Sequence, residues 1–208
     1  SNNESPASAS KNATDTTAPE APVIQTDLTG KANTTDEVVV KAEPGTTVKL
    51  LDKDGQELGH ATAGADGVAR ITPTRAIPVG NVTATATDAS NNESPASASK
   101  NATDTTAPDA PVIDTDLTGK ANTKTPIEVT AEPGSTVVIT AGGKEIGRGT
   151  AGADGKVTIT PTENIPVGDV TVTATDASGN KSTPSEVKPA TDTTAPDAPV
   201  IDTDLTGK

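Results

Sequence analysis

The side chains of this sequence that could do chemistry are almost all carboxylates. Its 208 residues include 29 Asp and Glu, one histidine and no cysteine. Oxygen donors of this kind suit a hard cation such as Ca²⁺, whereas zinc and copper favour histidine nitrogen and cysteine sulfur. Binding of Ca²⁺ by acidic turns is therefore the first chemistry to weigh.

Two sets of residues could supply such ligands, one in each half of the chain. Each set combines acids of a linker with residues of three later turns. The sets are Asp15, Glu20, Glu43, Asp66, Asp88 and Asn92, and then Asp104, Asp109, Glu132, Asp154, Asp176 and Asn180. A second interpretation stays open, because Asp and Asn also serve the backbone geometry of turns, with their carboxylates left in water. On that interpretation the protein requires no cofactor.

Catalysis has little support in the sequence. The single histidine, His60, corresponds to Arg148 in the second half, so a catalytic base would exist in only one of two near-copies. With no cysteine and with carboxylates scattered over turns, nucleophilic or paired-acid catalysis has no constellation of residues to support it. We predict that the protein is not an enzyme and that His60 lies on the surface of a strand.

The segment DKDGQE at residues 52–57 has the alternating oxygen ligands that open an EF-hand loop. The match then fails, because an EF-hand needs a bidentate acid at the twelfth position, which here is Ala63, and a helix on each side. A tight hairpin turn is the favoured interpretation.

The chain is a tandem repeat. Residues 90–120 repeat residues 1–31 with two differences, and a third, partial copy begins at Asp192. A spacing of 88 or 89 residues is too long for a solenoid unit and suits one small all-β domain per repeat. We therefore expect repeats at residues 18–106 and 107–194, flanked by the end of a preceding repeat at 1–17 and the start of a following one at 195–208. Both flanking pieces should be poorly packed.

The elements that must position these residues are β-strands. Prolines and glycines, 17 and 18 in number, interrupt any helix, and apolar residues alternate with polar ones, as at Ile127, Val129 and Ala131. Strands are predicted near residues 110–115, 125–131, 135–140, 144–151, 156–160, 168–175 and 183–188. Seven short strands per repeat favour two tandem immunoglobulin-like β-sandwich domains, joined end to end by a short linker stiffened by Pro108 and Pro111.

The matching last segment of the first repeat, SNNESPASASKNA at residues 90–102, looks by composition like a flexible tether. Its alignment with a predicted seventh strand favours a weak edge strand instead.

The sandwich fold would gather the acidic turns. Loops between strands two and three, four and five, and six and seven share the pole at which the N-terminal linker enters the domain. Each acid set therefore falls at one such pole. Converging carboxylates repel one another at neutral pH unless water or a cation neutralises them.

The first repeat has a core of small apolar side chains. The residues expected to point inward are Val38, Val40, Ala42, Val48, Leu50, Leu58, Ala69, Ile71, Val82, Ala84 and Ala86. Ala69 and Ala84 stand where the second repeat has Val157 and Val172, and each loses about 1.6 kcal/mol of transfer free energy. The first repeat should therefore melt at a lower temperature than the second.

The net charge of −13 disfavours nucleic acid and anionic membranes as partners, because both need clustered Lys and Arg. No apolar run reaches the length of a membrane span, and no signal peptide is evident. The chain is therefore either cytosolic or an excerpt of a longer exported protein.

Four motifs occur in order in the second repeat: DTTAPDAPVI at 104–113, AEPGSTVVIT at 131–140, GTAGADGKVTITPT at 149–162 and TVTATDASGN at 171–180. With them the chain resembles the bacterial immunoglobulin-like repeats of biofilm-associated (Bap-type) giant surface adhesins. The resemblance implies an extracellular location on the bacterial surface, with anchoring to the cell wall through parts outside this chain. It also implies a stalk role in cell adhesion and biofilm formation, and some relatives rigidify their junctions with Ca²⁺.

Two functions remain open. As a stalk segment, the chain would be a monomer whose partners are neighbouring repeats of the same protein. Alternatively, the repeats bind directly to like repeats on other cells or weakly to a host ligand, in a manner that could depend on Ca²⁺. Near-identical copies suit the second function because many weak sites multiply.

Overall fold

The structure, a computed structural model, describes residues 14–200, which form strands and turns with no helix among them. The chain divides into two compact units between Thr105 and Thr106. In unit 1 the strands are β1 (Val23–Ile24), β2 (Val38–Lys41), β3 (Thr47–Leu51), β4 (Glu57–Thr62), β5 (Val68–Ile71), β6 (Gly80–Thr87) and β7 (Lys100–Ala102). In unit 2 they are β8 (Val112–Ile113), β9 (Ile127–Thr130), β10 (Thr136–Ala141), β11 (Lys144–Thr150), β12 (Lys156–Ile159), β13 (Gly168–Thr175) and β14 (Lys188–Ala190). Residues 1–13 and 201–208, which hold most of the two predicted flanking pieces, lie outside the described residues.

Each unit is a sandwich of two antiparallel sheets. In unit 1 a three-stranded sheet has the order β1-β2-β5 and a four-stranded sheet the order β4-β3-β6-β7. Unit 2 repeats this with β8-β9-β12 and β11-β10-β13-β14. The predicted fold, two tandem immunoglobulin-like all-β domains, is confirmed.

The core of each unit lies between its two sheets, because period-two alternation sends every second side chain inward. Along β6, Val82, Ala84 and Ala86 are fully buried, whereas Thr83 is half-buried and Thr85 is 7 % exposed. Of the eleven inward residues predicted for unit 1, ten are buried and Ala42 is partly buried against the same cluster. Each fully buried Val or Leu contributes roughly 1.5–3 kcal/mol.

Sequence reasoning missed four large core residues that lie between strands. Leu28 and Ile77 in unit 1, and Leu117 and Ile165 in unit 2, are at most 1 % exposed. They lie in loops, outside the alternating segments from which the core was predicted.

The two cores distribute side-chain volume differently at one pair of neighbouring positions, where unit 1 has two alanines and unit 2 has a glycine and a valine. Ala69 is fully buried in unit 1, and its counterpart Val157 is only partly buried in unit 2. Ala61, which packs against the core of unit 1, corresponds to Gly149. A Cβ atom on Gly149 would lie 2.8 Å from Cγ2 of Val157. Unit 1 therefore recovers at Ala61 part of the volume that it lacks at Ala69, so the expected stability deficit of unit 1 is smaller at this site.

The last strand differs from its prediction. We expected a strand at 183–188, but β14 covers Lys188–Ala190. Before it, Ser185 pairs with Val172 of β13: its N–H donates to the Val172 carbonyl over 2.8 Å, and its hydroxyl accepts the Val172 N–H over 3.1 Å. Ser182 pairs with Ala174 in the same way. The predicted bounds were wrong because, at Ser182 and Ser185, serine hydroxyls take the place of main-chain carbonyls as acceptors.

Unit 1 has the same arrangement. Ser94 and Ser97 pair with Ala86 and Ala84 of β6, with both bonds of each pair between 2.8 and 2.9 Å. The edge-strand interpretation of residues 90–102 is confirmed for β7, and upstream of it two serines hold the segment. We call each such pair of serines, Ser94 with Ser97 and Ser182 with Ser185, a serine clip.

Candidate functional site

The N-terminal pole of unit 1 brings together the loops expected there. The Glu20 N–H donates to Oε1 of Glu43 over 2.8 Å, which joins the incoming chain to the β2–β3 loop. A backbone hydrogen bond of 2.9 Å joins that loop to the β4–β5 loop. The side-chain amide of Asn92, in the β6–β7 connection, donates to the Asp15 carbonyl over 3.2 Å. All six predicted residues of unit 1 therefore lie on elements that meet at this pole.

Several of these carboxylates are engaged by their own turns. Oδ1 of Asp88 accepts the N–H groups of Ser90 and Asn92 over 2.8 and 2.9 Å, and Oδ2 accepts the Asn92 side-chain amide over 2.8 Å. These hydrogen bonds, from Asn92 first, lower the pKa of Asp88 because they stabilise its charged form. Asp66 accepts the Val68 N–H over 3.0 Å, and Asp15 accepts an N–H two residues on over 2.9 Å.

Unit 2 repeats these turns. Asp176 accepts the N–H groups of Ser178 and Asn180 and the Asn180 side-chain amide over 2.8 to 2.9 Å. Burial alone would raise the pKa of Asp176, but the hydrogen bonds outweigh it, and the net shift is downward. Asp154 accepts the Lys156 N–H over 3.1 Å, as Asp66 does with Val68.

The remaining acids of the two sets have different surroundings. Glu20 and Glu43 line a shallow cavity of about 390 Å³ at the start of β1, and Asp109 and Glu132 line a matching one of about 370 Å³ in unit 2. Asp104 belongs to unit 1, where its Oδ2 accepts the side-chain amide of Asn33 over 2.9 Å.

The chemistry of the donors fits Ca²⁺, which takes carboxylate, amide and carbonyl oxygens. Within residues 14–200, no three His, Cys, Asp or Glu side chains are grouped so that they could hold a metal ion. The hydrogen bonds described above give these acids a role in turn geometry. Binding of Ca²⁺ at the N-terminal poles stays a prediction.

His60 is exposed on β4, with its Nδ1 2.6 Å from Oε1 of Glu57. Its counterpart Arg148 pairs with Glu145 in the same relation, over 2.7 Å. The predicted surface strand position of His60 is confirmed, and each pair lies within a single strand, β4 or β11.

The DKDGQE segment forms the hairpin turn between β3 and β4, so that interpretation is confirmed. Oδ1 of Asp52 accepts the N–H groups of Asp54 and Gln56, each over 2.8 Å. Its Oδ2 accepts a guanidinium N–H of Arg75 over 2.7 Å, and the Asp52 side chain is only 5 % exposed. The Arg75 hydrogen bond is the main cause of a lowered pKa at Asp52. Sequence reasoning missed Arg75, because nothing in the pattern links residues 23 positions apart.

The part of the chain that the structure describes contains no helix able to cross a membrane.

Comparison with known families and proteins gives one family. The profile of a family described as "Bacterial Ig domain" matches residues 18–109 and again residues 107–197. No curated protein shows significant similarity to the chain.

Three solved structures are similar to the chain. "Biofilm associated protein - BSP domain" is 24 % identical over 86 % of this chain and 30 % of that chain, with a TM-score of 0.36. A tetra-tandem repeat in the extending region of a large adhesion protein is 22 % identical over 83 % and 49 %, with a TM-score of 0.48. A two-domain fibronectin type-III segment from chicken tenascin is 13 % identical over 80 % and 95 %, with a TM-score of 0.47. The chain spans less than half the length of the first two.

Proposed function

Because this chain belongs to the bacterial Ig domain family, whose profile covers both of its units, we propose that it is a stalk segment of a bacterial surface adhesin. In this role each unit is a non-catalytic spacer that holds an adhesive region away from the cell and contributes to biofilm formation. The protein would lie outside the cell, anchored to the wall by parts outside this chain. Its immediate partners would be neighbouring repeats.

The observation that carries the proposal is the repetition of one complete sandwich. The pairing of β3 with β6 runs from Thr47 opposite Thr87 to Leu51 opposite Thr83. The pairing of β10 with β13 has the same register, beginning with Thr136 opposite Thr175. A spacer needs many copies of one stable shape, whereas an enzyme or a specific receptor needs one differentiated site.

The use of the polar side chains supports a non-catalytic role. Asp52, Asp88 and Asp176 are engaged by turn amides or by a salt bridge, and their lowered pKa values keep them charged. General acid or base work near neutral pH calls for the opposite shift in a carboxyl group. The exposed faces also lack the aromatic anchors that dominate most tight interfaces.

The strand lengths support a useful reach. The eight residues of β6 and of β13 correspond to about 27 Å at roughly 3.4 Å per residue. Each repeat added to a stalk would then extend it by a few tens of ångströms.

A replacement experiment in the parent adhesin tests the proposal. The two units are exchanged for two unrelated β-sandwich domains of similar length, and a second variant simply deletes them. We expect deletion to weaken adhesion and biofilm formation and replacement to restore them. Failure of the replacement to restore adhesion would favour direct binding by the repeats. Sedimentation velocity of the purified chain adds a check, because a spacer should stay monomeric while homophilic repeats should associate.

A further inference from the structure

The chain does not leave unit 1 at the end of its last strand. After β7, residues 103–105 lie against the turn between β1 and β2. The Thr103 N–H donates to the Leu28 carbonyl over 3.3 Å, and the Thr103 carbonyl accepts the Ala32 N–H over 3.1 Å. The Thr103 hydroxyl accepts the Gly30 N–H, also over 3.1 Å. We call residues 103–105 and their counterparts 191–193 the exit segments.

The turn is shaped to receive this segment. Asn33 has a left-handed backbone with φ of 62°, and its side-chain amide donates to Asp104 over 2.9 Å. Gly30 has φ of 72°, and a Cβ atom there would lie 2.8 Å from the Thr105 hydroxyl. The positive φ and the close approach both favour glycine at this position.

Unit 2 repeats every part of this arrangement. The Thr191 N–H donates to the Leu117 carbonyl over 3.4 Å, and the Thr191 carbonyl accepts the Ala121 N–H over 3.1 Å. The Thr191 hydroxyl accepts the Gly119 N–H over 3.0 Å. Asn122 has φ of 62° and donates to Asp192 over 2.8 Å. The repetition shows that the exit segment is a built part of the unit.

The exit segments are held by hydrogen bonds and not by the core. Buried apolar side chains end at Ala102 and Ala190, which are 0 % and 1 % exposed. Thr103 and Asp104 are half-buried, and Thr105, Asp192 and Thr193 are exposed. Detaching an exit segment therefore breaks hydrogen bonds that water can replace, while the apolar surface between the sheets stays covered.

We propose that each exit segment is a releasable latch, which detaches from the β1–β2 turn while its sandwich remains folded. Three released residues lengthen the path of the chain by about 10 Å per unit. In the stalk role proposed above, on which this use rests, such a latch lets a repeat lengthen under tension before its core unfolds. Its partner is the β1–β2 turn of the same unit.

Hydrogen exchange of the intact chain, measured by NMR, tests the latch. The Gly30 and Ala32 amides donate to Thr103, so they report its release. We expect them to exchange at least about 100-fold faster than the amides of the β3–β6 ladder and with little dependence on low urea, as local opening requires. Equal rates and equal urea dependence would show that the exit segment opens only with the whole unit, and would overturn the proposal.

A variant with a matched control sharpens this test. Thr103→Val removes the hydroxyl that accepts the Gly30 N–H and keeps the side-chain shape. We expect exchange at Gly30 and Ala32 to rise about three- to tenfold, with the β3–β6 ladder unchanged. Thr191→Val should do the same at Gly119 and Ala121 and leave unit 1 unaffected. Unchanged exchange at Gly30, or equal acceleration throughout unit 1, would overturn the latch. These measurements do not involve adhesion. They can therefore refute the latch without refuting the spacer function, and the replacement experiment can refute the spacer function without refuting the latch.

Discussion

The exchange of volume between the two cores gives a prediction that can be worked through in detail. A Cβ atom added at Gly149 would lie 2.8 Å from Cγ2 of Val157 and 3.0 Å from Cγ1 of Ile159. Contacts this short must be relieved by shifting packed side chains, which typically costs about 1–3 kcal/mol. The Gly149→Ala variant should therefore destabilise unit 2, although alanine would otherwise be favoured over glycine in a strand by roughly 0.5–1 kcal/mol.

The second step of the cycle is Val157→Ala. It removes about 1.6 kcal/mol of transfer free energy at most, since Val157 is only partly buried. The double variant Gly149→Ala with Val157→Ala recreates the pair that unit 1 carries at Ala61 and Ala69. We expect it to be less destabilised than the sum of the single variants, with a coupling free energy of about 1 kcal/mol or more.

Urea unfolding followed by the NMR signals of each unit measures these changes separately for units 1 and 2. Unit 1 serves as an internal reference, because it should not respond to substitutions in unit 2. Additive effects in the cycle, or a stabilising Gly149→Ala, would refute the packing argument. The mirror substitution Ala69→Val in unit 1 should destabilise that unit, because Ala61 already fills the space that Gly149 leaves open in unit 2.

Three further predictions concern single groups. Thr85 is 7 % exposed and its hydroxyl has no hydrogen-bond partner among the described residues, so Thr85→Val should stabilise unit 1 by about 1 kcal/mol and raise its melting midpoint by several degrees. The matched Thr173→Val, at a half-buried position in unit 2, should be near neutral. A destabilising Thr85→Val would show that the hydroxyl does have a partner. The lowered pKa of Asp52 means that its contribution to stability is present above the ordinary aspartate pKa and is lost as pH falls through the folded value. When the unfolding midpoint of unit 1 is followed into acid, Asp52→Asn should therefore flatten its decline, and unit 2, which has Ala141 in place of Asp52, should not change. An unchanged profile for unit 1 would count against the Arg75 contact as the cause of the lowered pKa. For the N-terminal poles, the Ca²⁺ interpretation predicts a higher melting midpoint in millimolar Ca²⁺ than in chelator, whereas the turn interpretation predicts equal midpoints.

Much of the fold could be predicted from local patterns. Alternation in segments such as TVTAT at 171–175 marks the inward face of a strand, and proline and Asp-Gly turns mark where each strand ends. These signals act over a few residues, so sequence shows them directly. The convergence of the acidic turns at one pole of unit 1 followed from the topology alone.

The features that sequence did not reveal depend on long separations or on a change of hydrogen-bonding group. The Asp52–Arg75 pair and the exit segment, which lies 71 residues from the asparagine that holds it, join residues that no periodicity relates. A strand was predicted at residues 183–188, but at Ser182 and Ser185 the serine hydroxyls took the place of main-chain carbonyls as acceptors. The missed residues Leu28 and Ile77 lie in loops, where no strand alternation marks the inward side.

The serine clips have a consequence for a protein built of near-identical units. An exposed sheet edge can pair with any similar strand nearby, and in an array the neighbouring copies are held at high local concentration. Each clip contains an exposed proline, Pro95 or Pro184, and a proline offers no N–H to another strand. The serine hydroxyls of the same segment accept main-chain N–H groups of the neighbouring strand, β6 or β13. A segment held in this way offers fewer free main-chain donors to a neighbouring copy, which would disfavour pairing of this edge with another unit.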